Sequence, residues 1–332
     1  MNAAEIRRAA ALLRRGGLVA FPTETVYGLG ADAGNPQAVA KIFAAKGRPA
    51  DHPLIVHLAA AGALPAWASE VPTAAAKLAA AFWPGPLTLI LKRSARAPDI
   101  VTGGQDTVGL RVPQHPLALA LLAEFAGSGS GGIAAPSANR FGRISPTSAA
   151  HVHAELGTAV DLVLDGGPCA VGIESTIVDL SRGRPVLLRP GAITAAQLAG
   201  VLGENVAAAA AVADQPRVPG ALAAHYAPLT PLQLVAPAAL ADLARAALER
   251  GLSIAVLARR RAPLRLAPGV HWLAAPANAR AYARDLYAAL RSLDAAGTGL
   301  ILVEAPPPDP DWAAVADRLQ RAAAGAVVQD ET

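Results

Sequence analysis

The sequence predicts an α/β protein: a mixed twisted sheet with helices, followed by a small Rossmann-like α/β domain. Three observations predict it. Before residue 206, short apolar runs rich in β-branched residues follow one another, several with no helical pattern between them, which a purely parallel sheet does not allow. The stretch 206–231 opens with alanine repeats and passes into Pro216, Pro219, Gly220, Pro228 and Pro231, the composition of a linker. Beyond it, strand and helix patterns alternate. At 332 residues the chain exceeds the size at which one core stops growing. The expected division is a first domain at 1–205, a linker at 206–231 and a second domain at 232–332.

Taken in order, Ile6, Ala10 and Leu13 recur at helical spacing while Arg7, Arg8, Arg14 and Arg15 occupy the other faces, so the N-terminus reads as an amphipathic helix and not as a secretory leader, with a mitochondrial presequence as the lesser alternative. Leu18 to Phe21 is an apolar run leading into the turn FPTETVYGLG at Phe21 to Gly30. The next helix, Pro36 to Lys46, is fully punctuated. Asn35 caps its first turn, Pro36 suits the first helical position, Val39, Ile42 and Phe43 form its buried stripe, and Gly47 ends it in a left-handed conformation. Strands are predicted at Leu54 to Leu58, Leu87 to Leu91, Val108 to Val112, Leu162 to Leu164, Thr176 to Leu180 and Val186 to Leu188. In the second domain they fall at Leu232 to Val235, Ser253 to Leu257, His271 to Leu273 and Leu300 to Val303, with helices at about 237–250, 278–294 and 311–323.

Composition narrows the function. No apolar run approaches the ~18 residues that span a bilayer. Cys169 is the one cysteine, which leaves no intrachain disulfide or thiolate metal cage and fits a reducing cytoplasm. The formal charge of +4 is carried mostly by arginine, a residue suited to bidentate recognition of phosphates and carboxylates, so anionic small substrates are favoured over a bulk nucleic-acid surface.

Several motifs carry chemistry, each with a plain structural alternative. Lys46-x-Arg48 delivers two cations past a helix end, where they either share a pocket or simply complement the helix dipole. Ser137-x-Asn139 offers a hydroxyl and an amide to a nucleotide, yet both are everyday turn residues. Arg111 lies on a predicted strand and Arg189 stands just before Pro190-Gly191, each as an anion partner or as a solvated face residue; His57 ends a strand, as a substrate contact or as a satisfied core residue. His151 and His153 sit two apart on a predicted helix, diverge, and so read as surface histidines and not metal ligands. Gly28-x-Gly30-x-x-Ala33 imitates a dinucleotide fingerprint, but Asn35-Pro36 starts the helix after the motif is over, which argues against an NAD site.

The blocks FPTETVYGLG, Lys46-Gly47-Arg48, APSAN at Ala135 to Asn139, GIESTIVD at Gly172 to Asp179 and LRPG at Leu188 to Gly191 stand in the order found in the YrdC-like family of nucleotide-dependent carbamoylating enzymes, and the chain resembles that family. With His225-Tyr226-Ala227-Pro228 in the linker and a Rossmann-like domain after it, the resemblance extends to the family's two-domain form and nearly the whole chain. It implies condensation of L-threonine, bicarbonate and ATP into threonylcarbamoyl-adenylate with release of pyrophosphate, the first step towards N6-threonylcarbamoyladenosine in tRNA. Mapped by motif, threonine would touch Thr25, His57, Arg111, the backbone at Ala135, and Ser175. ATP would touch Lys46, Arg48, His52, Thr107, Ser137, Asn139, Ser145, Arg189 and Tyr226, with Lys46 and Arg48 neutralising charge in catalysis. Mg2+ would arrive with ATP, and no protein metal ligand is expected. The resemblance further implies hand-over to a threonylcarbamoyl-transferase machinery acting on tRNA, a cytoplasmic location with no membrane partner, and weak RNA binding. His52 stands where asparagine is common in the family, and the glycine-serine stretch at 127–132 reads as a lengthened loop. Two other readings stay open in the sequence: an RNA-binding module, and a carbamoyl-adenylate-forming enzyme that uses carbamoyl phosphate.

Overall fold

A computed structural model describes residues 2–127, 129–209, 214–262 and 267–327. It divides into two compact units. The first comprises the residues up to Phe141 together with Pro146–Ala221, and the second comprises Gly142–Ser145 with the residues from Leu222 onward.

The first unit is built on strands β1 (Val19–Phe21), β2 (Gly28–Asp32), β3 (Ile55–His57), β4 (Leu87–Lys92), β5 (Thr107–Arg111), β6 (Ile133–Ala134), β7 (Leu162–Val163), β8 (Thr176–Asp179), β9 (Val186–Arg189) and β10 (Ala207–Ala208). Among the described residues they form one ten-stranded sheet in the order β10-β9-β8-β4-β5-β3-β6-β2-β1-β7. The sheet is mixed, as the helix-free succession of strands requires: β3 runs parallel to β5 and β4 parallel to β8, while β4 and β5, β8 and β9, and β1 and β2 are antiparallel. One face packs on the helices Pro36–Lys46 and Thr73–Phe82, and the other on Ala3–Arg14 and Pro116–Ala126. Val39 and Ile42 are wholly buried, and burying such a side chain stabilises by about 1.5–3 kcal/mol.

Local chemistry sets the helix that matters most. The Asn35 side chain accepts from the backbone N–H groups of Gln37 and Ala38, Pro36 opens the helix, and Gly47 closes it at φ 60°. Its N–H and that of Arg48 cap the carbonyls of Ala44 and Phe43, so Lys46 and Arg48 leave the helix in fixed directions.

Four strands are absent from the predicted set, and one of them, β1, coincides with the apolar run Leu18 to Phe21. Gly28–Asp32 belongs to the stretch read as a turn; it pairs with β1, Phe21 opposite Gly28, and a Cβ on Gly30 would lie 2.8 Å from the Phe21 ring and 2.9 Å from Ile133. Glycine is there because two side chains fill its space, and glycine carries little strand propensity to read. Strand β6 is two residues long, too short for a period to show. Ala207–Ala208 falls inside the stretch read as linker, where pairing with β9 imposes extended backbone on alanine. The described residues between 206 and 221 belong to the first unit, and Val218 packs with Ile55, Ile90, Ile177, Val186 and Leu188.

The second unit carries β11 (Leu232–Val235), β12 (Ile254–Ala258), β13 (Val270–Ala274) and β14 (Leu300–Glu304), all parallel, in the order β11-β14-β12-β13. The helices Leu240–Glu249, Ala279–Asp294 and Ala313–Val327 accompany them. Strands of a parallel sheet are buried on both faces, and β12 is buried at every position. No described helix is long and apolar enough to cross a membrane.

Candidate active site

The Pro22 to Tyr27 segment closes the β1–β2 hairpin and is held by its own hydroxyls. Thr23 Oγ1 accepts from the N–H groups of Thr25 and Val26, donates to the Val26 carbonyl at 2.6 Å, and lies 2.8 Å from Thr25 Oγ1. Thr23, Glu24 and Thr25 are all buried. Beyond the turn, Gly28 bridges Ser137, and Ala138 donates its N–H to the Tyr27 carbonyl, so the PTET and APSAN blocks lie side by side.

Lys46 explains why the KxR and SxN motifs occur together. Its ammonium donates to the carbonyls of Ser137 at 2.6 Å and Asn139 at 2.5 Å, tying the helix end to that loop. Burial first, and the neighbouring Arg48 second, lower its pKa well below the ordinary lysine value, against a smaller opposing effect of Glu155. Two cations held together out of water form a site that an anion would relieve. The Arg48 guanidinium donates to the Pro53 carbonyl at 3.0 Å and lies 5.7 Å from the centroid of the Phe141 ring; His52 meets the same ring edge-on at 5.3 Å. Burial and Arg48 lower the His52 pKa.

The other half of the site lies on the adjoining strands. His57 and Arg111 are paired positions of β3 and β5, and both are buried. Burial and then Arg111 push the His57 pKa down to about 3, so the imidazole is neutral, and its Nδ1 makes no hydrogen bond. The Arg111 guanidinium forms an ion pair with Glu24, Nη2 to Oε1 2.6 Å. Ala135 donates its N–H to Ile55. Ser175 is a junction: its Oγ lies 2.8 Å from Thr88 Oγ1 and accepts from Arg189 Nη2 at 3.1 Å, while Arg189 Nε donates to the Ser175 carbonyl and Nη1 to the Pro219 carbonyl. Thr107, opposite Lys92, begins β5.

Thr25, Lys46, Arg48, His52, His57, Thr107, Arg111, Ala135, Ser137, Asn139, Ser175 and Arg189 therefore belong to one unit, linked by the contacts above. Ser145 and Tyr226 belong to the second unit, where Tyr226, at φ 63°, packs on His225 and Tyr287 and beneath the Arg318 guanidinium. Glu24 lies in the FPTETVYGLG block but has no role assigned from the sequence, and Thr88 has none either. Nothing in an apolar strand such as LTLIL marks its threonine as the partner of a serine 87 positions away.

Several further residues are also placed. The glycines of the false dinucleotide fingerprint lie on β2 or beside it, and open no helix. His151 is half-buried, its Nδ1 accepting the Thr147 N–H, while His153 is exposed. No group of three His, Cys, Asp or Glu converges among the described residues. Burial raises the Cys169 thiol to about 12, which leaves it without nucleophilic character.

Residues 11–191 match the profile of the Sua5–YciO–YrdC family, described as telomere recombination, and residues 193–324 that of the threonylcarbamoyl-AMP synthase C-terminal domain. A threonylcarbamoyl-AMP synthase of Bacillus subtilis is 43% identical over 336 residues, which span 99% of this chain and 95% of the relative. One from Pyrococcus abyssi is 40% identical over 334 residues, 98% of this chain and 96% of the relative. The crystal structure of P. abyssi Sua5 complexed with L-threonine matches with a TM-score of 0.89 at 40% identity, over 98% of this chain and 96% of that one.

Proposed function

The chain belongs to the Sua5–YciO–YrdC family, and from that membership together with the site geometry we propose that it condenses L-threonine, bicarbonate and ATP into threonylcarbamoyl-adenylate, releasing pyrophosphate. It is an enzyme of the nucleotidyltransferase type, and its product is the activated form from which a transferase makes N6-threonylcarbamoyladenosine in tRNA.

The observation that carries the reading is the direct hydrogen bond from Arg189 to Ser175. It joins Arg189, a cation suited to a phosphate, to Ser175, a hydroxyl suited to a small amino acid, while Lys46 and Arg48 supply further positive charge and the paired positions His57 and Arg111 further polar groups. The chemistry needs no protein nucleophile. Bicarbonate loses water to give carbon dioxide, the neutral threonine amine adds to its carbon and releases a proton to form a carbamate, a carbamate oxygen attacks the α-phosphorus, and pyrophosphate departs with the electron pair of the broken P–O bond. Holding the reactants in line and neutralising the phosphate charge then supply the rate. Thr25 and Ser175 offer hydroxyls, and the neutral His57 offers a lone pair, to the polar groups of threonine. Magnesium would come with the nucleotide: the cations around the phosphates are no metal ligands, so its oxygens would be those of ATP, whose charge it would neutralise.

The test is pyrophosphate release measured across the amino acids, with and without bicarbonate. Threonine should be preferred over serine by the worth of a methyl group, roughly 1–3 kcal/mol, and over valine by more, because valine leaves the hydroxyl's partners unpaired. Equal turnover of valine and threonine, or release independent of bicarbonate, would refute the reading. Release driven by carbamoyl phosphate would support the rival carbamoylating activity, and RNA binding without turnover would support the binding module.

A further inference from the structure

Glu24 is a buried carboxylate with no part in the steps above, and its surroundings are unusually well defined. One oxygen, Oε1, accepts from Arg111 Nη2 at 2.6 Å, and the other, Oε2, accepts the Gln114 N–H at 2.9 Å. The carboxylate cannot swing, because its backbone is pinned as well: the Glu24 carbonyl accepts the Val171 N–H at 2.7 Å, and Thr23 Oγ1 secures the two N–H groups that follow. Arg111 is held on a second side, where Nε donates to the Gly85 carbonyl at 3.3 Å, and Gly85 is itself anchored by its N–H to the Val112 carbonyl. Both side chains of the pair are 5% exposed.

A guanidinium has five N–H donors in one plane. Glu24 and Gly85 engage Nη2 and Nε, which fixes the rotation of that plane and leaves Nη1, without a hydrogen bond among the described residues, at its far end. A second carboxylate can then approach only the end that carries Nη1, in a single orientation. We propose that Glu24 is a positioning residue for substrate recognition: it locks the Arg111 fork so that only one edge is offered to the carboxylate of the amino acid. The proposal rests on the reading in which Arg111 meets that carboxylate. It assigns to Glu24 no contact with the substrate.

The consequence is a loss confined to ligands that carry a carboxylate. In Glu24→Gln the amide has one acceptor oxygen in place of two and no charge, so it cannot hold both Arg111 and Gln114 N–H, and the fork is free to turn. Dissociation constants for L-threonine and for L-threoninol, in which a hydroxymethyl group replaces the carboxylate, are measured calorimetrically on the full chain and on Glu24→Gln. Threonine should weaken at least ~10-fold, the scale of a lost charge-assisted contact, while threoninol changes far less. In an Arg111→Met background the same substitution should leave the ratio of the two ligands unchanged. Equal weakening of both ligands by Glu24→Gln would overturn the proposal and make Glu24 a purely structural residue. If the unmodified chain itself fails to prefer threonine over threoninol, the carboxylate reading of Arg111 falls and the proposal with it, a different outcome from the first. Should Glu24→Gln not fold, Glu24→Asp keeps the charge and withdraws it by one methylene; it should show the same selective loss of threonine, smaller in size, and equal loss of both ligands would again overturn the proposal.

Discussion

Arg111 and Glu24 lie in the interior as an ion pair, and the energetics of such pairs are asymmetric. Removing one partner leaves an uncompensated buried charge and costs about 3–5 kcal/mol, more than the pair contributes against an apolar substitute. Arg111→Ala should therefore lower the unfolding free energy by that order and raise the threonine KM far more than the ATP KM. Arg111→Lys should recover little, because an ammonium lacks the planar fork. Denaturant unfolding with paired KM measurements checks both, and equal rises in the two KM values would count against the assignment. His57 predicts a pH effect whose sign is fixed. Its folded pKa of about 3 lies below the ordinary value near 6.5, so the unfolded chain binds a proton that the folded chain refuses. Stability is unaffected by this group above about pH 6.5 and falls as pH drops below it, by about 2 kcal/mol at pH 5. His57→Asn should flatten the stability profile between about pH 6.5 and 5 relative to the parent chain, and an unchanged slope would show that His57 is not buried in the neutral form.

At the scale of the element, the helix Pro36–Lys46 aims the two cations through its ends. Gly47 adopts φ 60°, and a Cβ there would meet nothing within 4 Å, so the objection to a side chain is conformational and not steric. Gly47→Ala should cost about 1–2 kcal/mol from the left-handed backbone, and Gly47→Asn less, because asparagine tolerates that region. The same change should raise the ATP KM, since Lys46 and Arg48 flank the glycine. A variant that loses stability and keeps its ATP KM would show that the helix end does not set the direction of the cations.

At the scale of the molecule, the first unit extends to Ala221. A fragment of residues 1–205 loses the pairing of β10 with β9, the burial of Val218, and the Pro219 carbonyl that accepts from Arg189. It also loses Arg217, whose N–H donates to Gln105 Oε1 at 2.6 Å and whose guanidinium donates to the Gly103 carbonyl at 2.8 Å. A fragment of residues 1–221 keeps them all. The shorter fragment should fold with lower stability, by at least the ~1.5–3 kcal/mol of one buried valine, and bind ATP more weakly than the longer one. Thermal unfolding and ATP titration of the two fragments decide the matter; identical behaviour would reduce residues 206–221 to a tether.

What the sequence determined by itself was local or periodic. The cap, the proline, the apolar stripe and the terminal glycine of Pro36–Lys46 all act within a few residues of one another, and the helix has the predicted bounds. The central strands β12 and β14 of the second unit were legible because a strand buried on both faces is a continuous apolar run. Block order was enough to reveal the family. The tertiary structure alone decided the rest, because those features depend on residues far apart in the chain. Glu24 and Arg111 are 87 positions apart, as are Thr88 and Ser175, and Lys46 reaches carbonyls 91 and 93 residues on. Gly30 became a strand residue through the bulk of Phe21 and Ile133, and Ala207 through the edge of β9, against what either residue favours on its own. A sequence records the chemical groups a site has available, but the edge of a guanidinium that faces a ligand is set by neighbours that only the closed sheet brings within hydrogen-bonding distance.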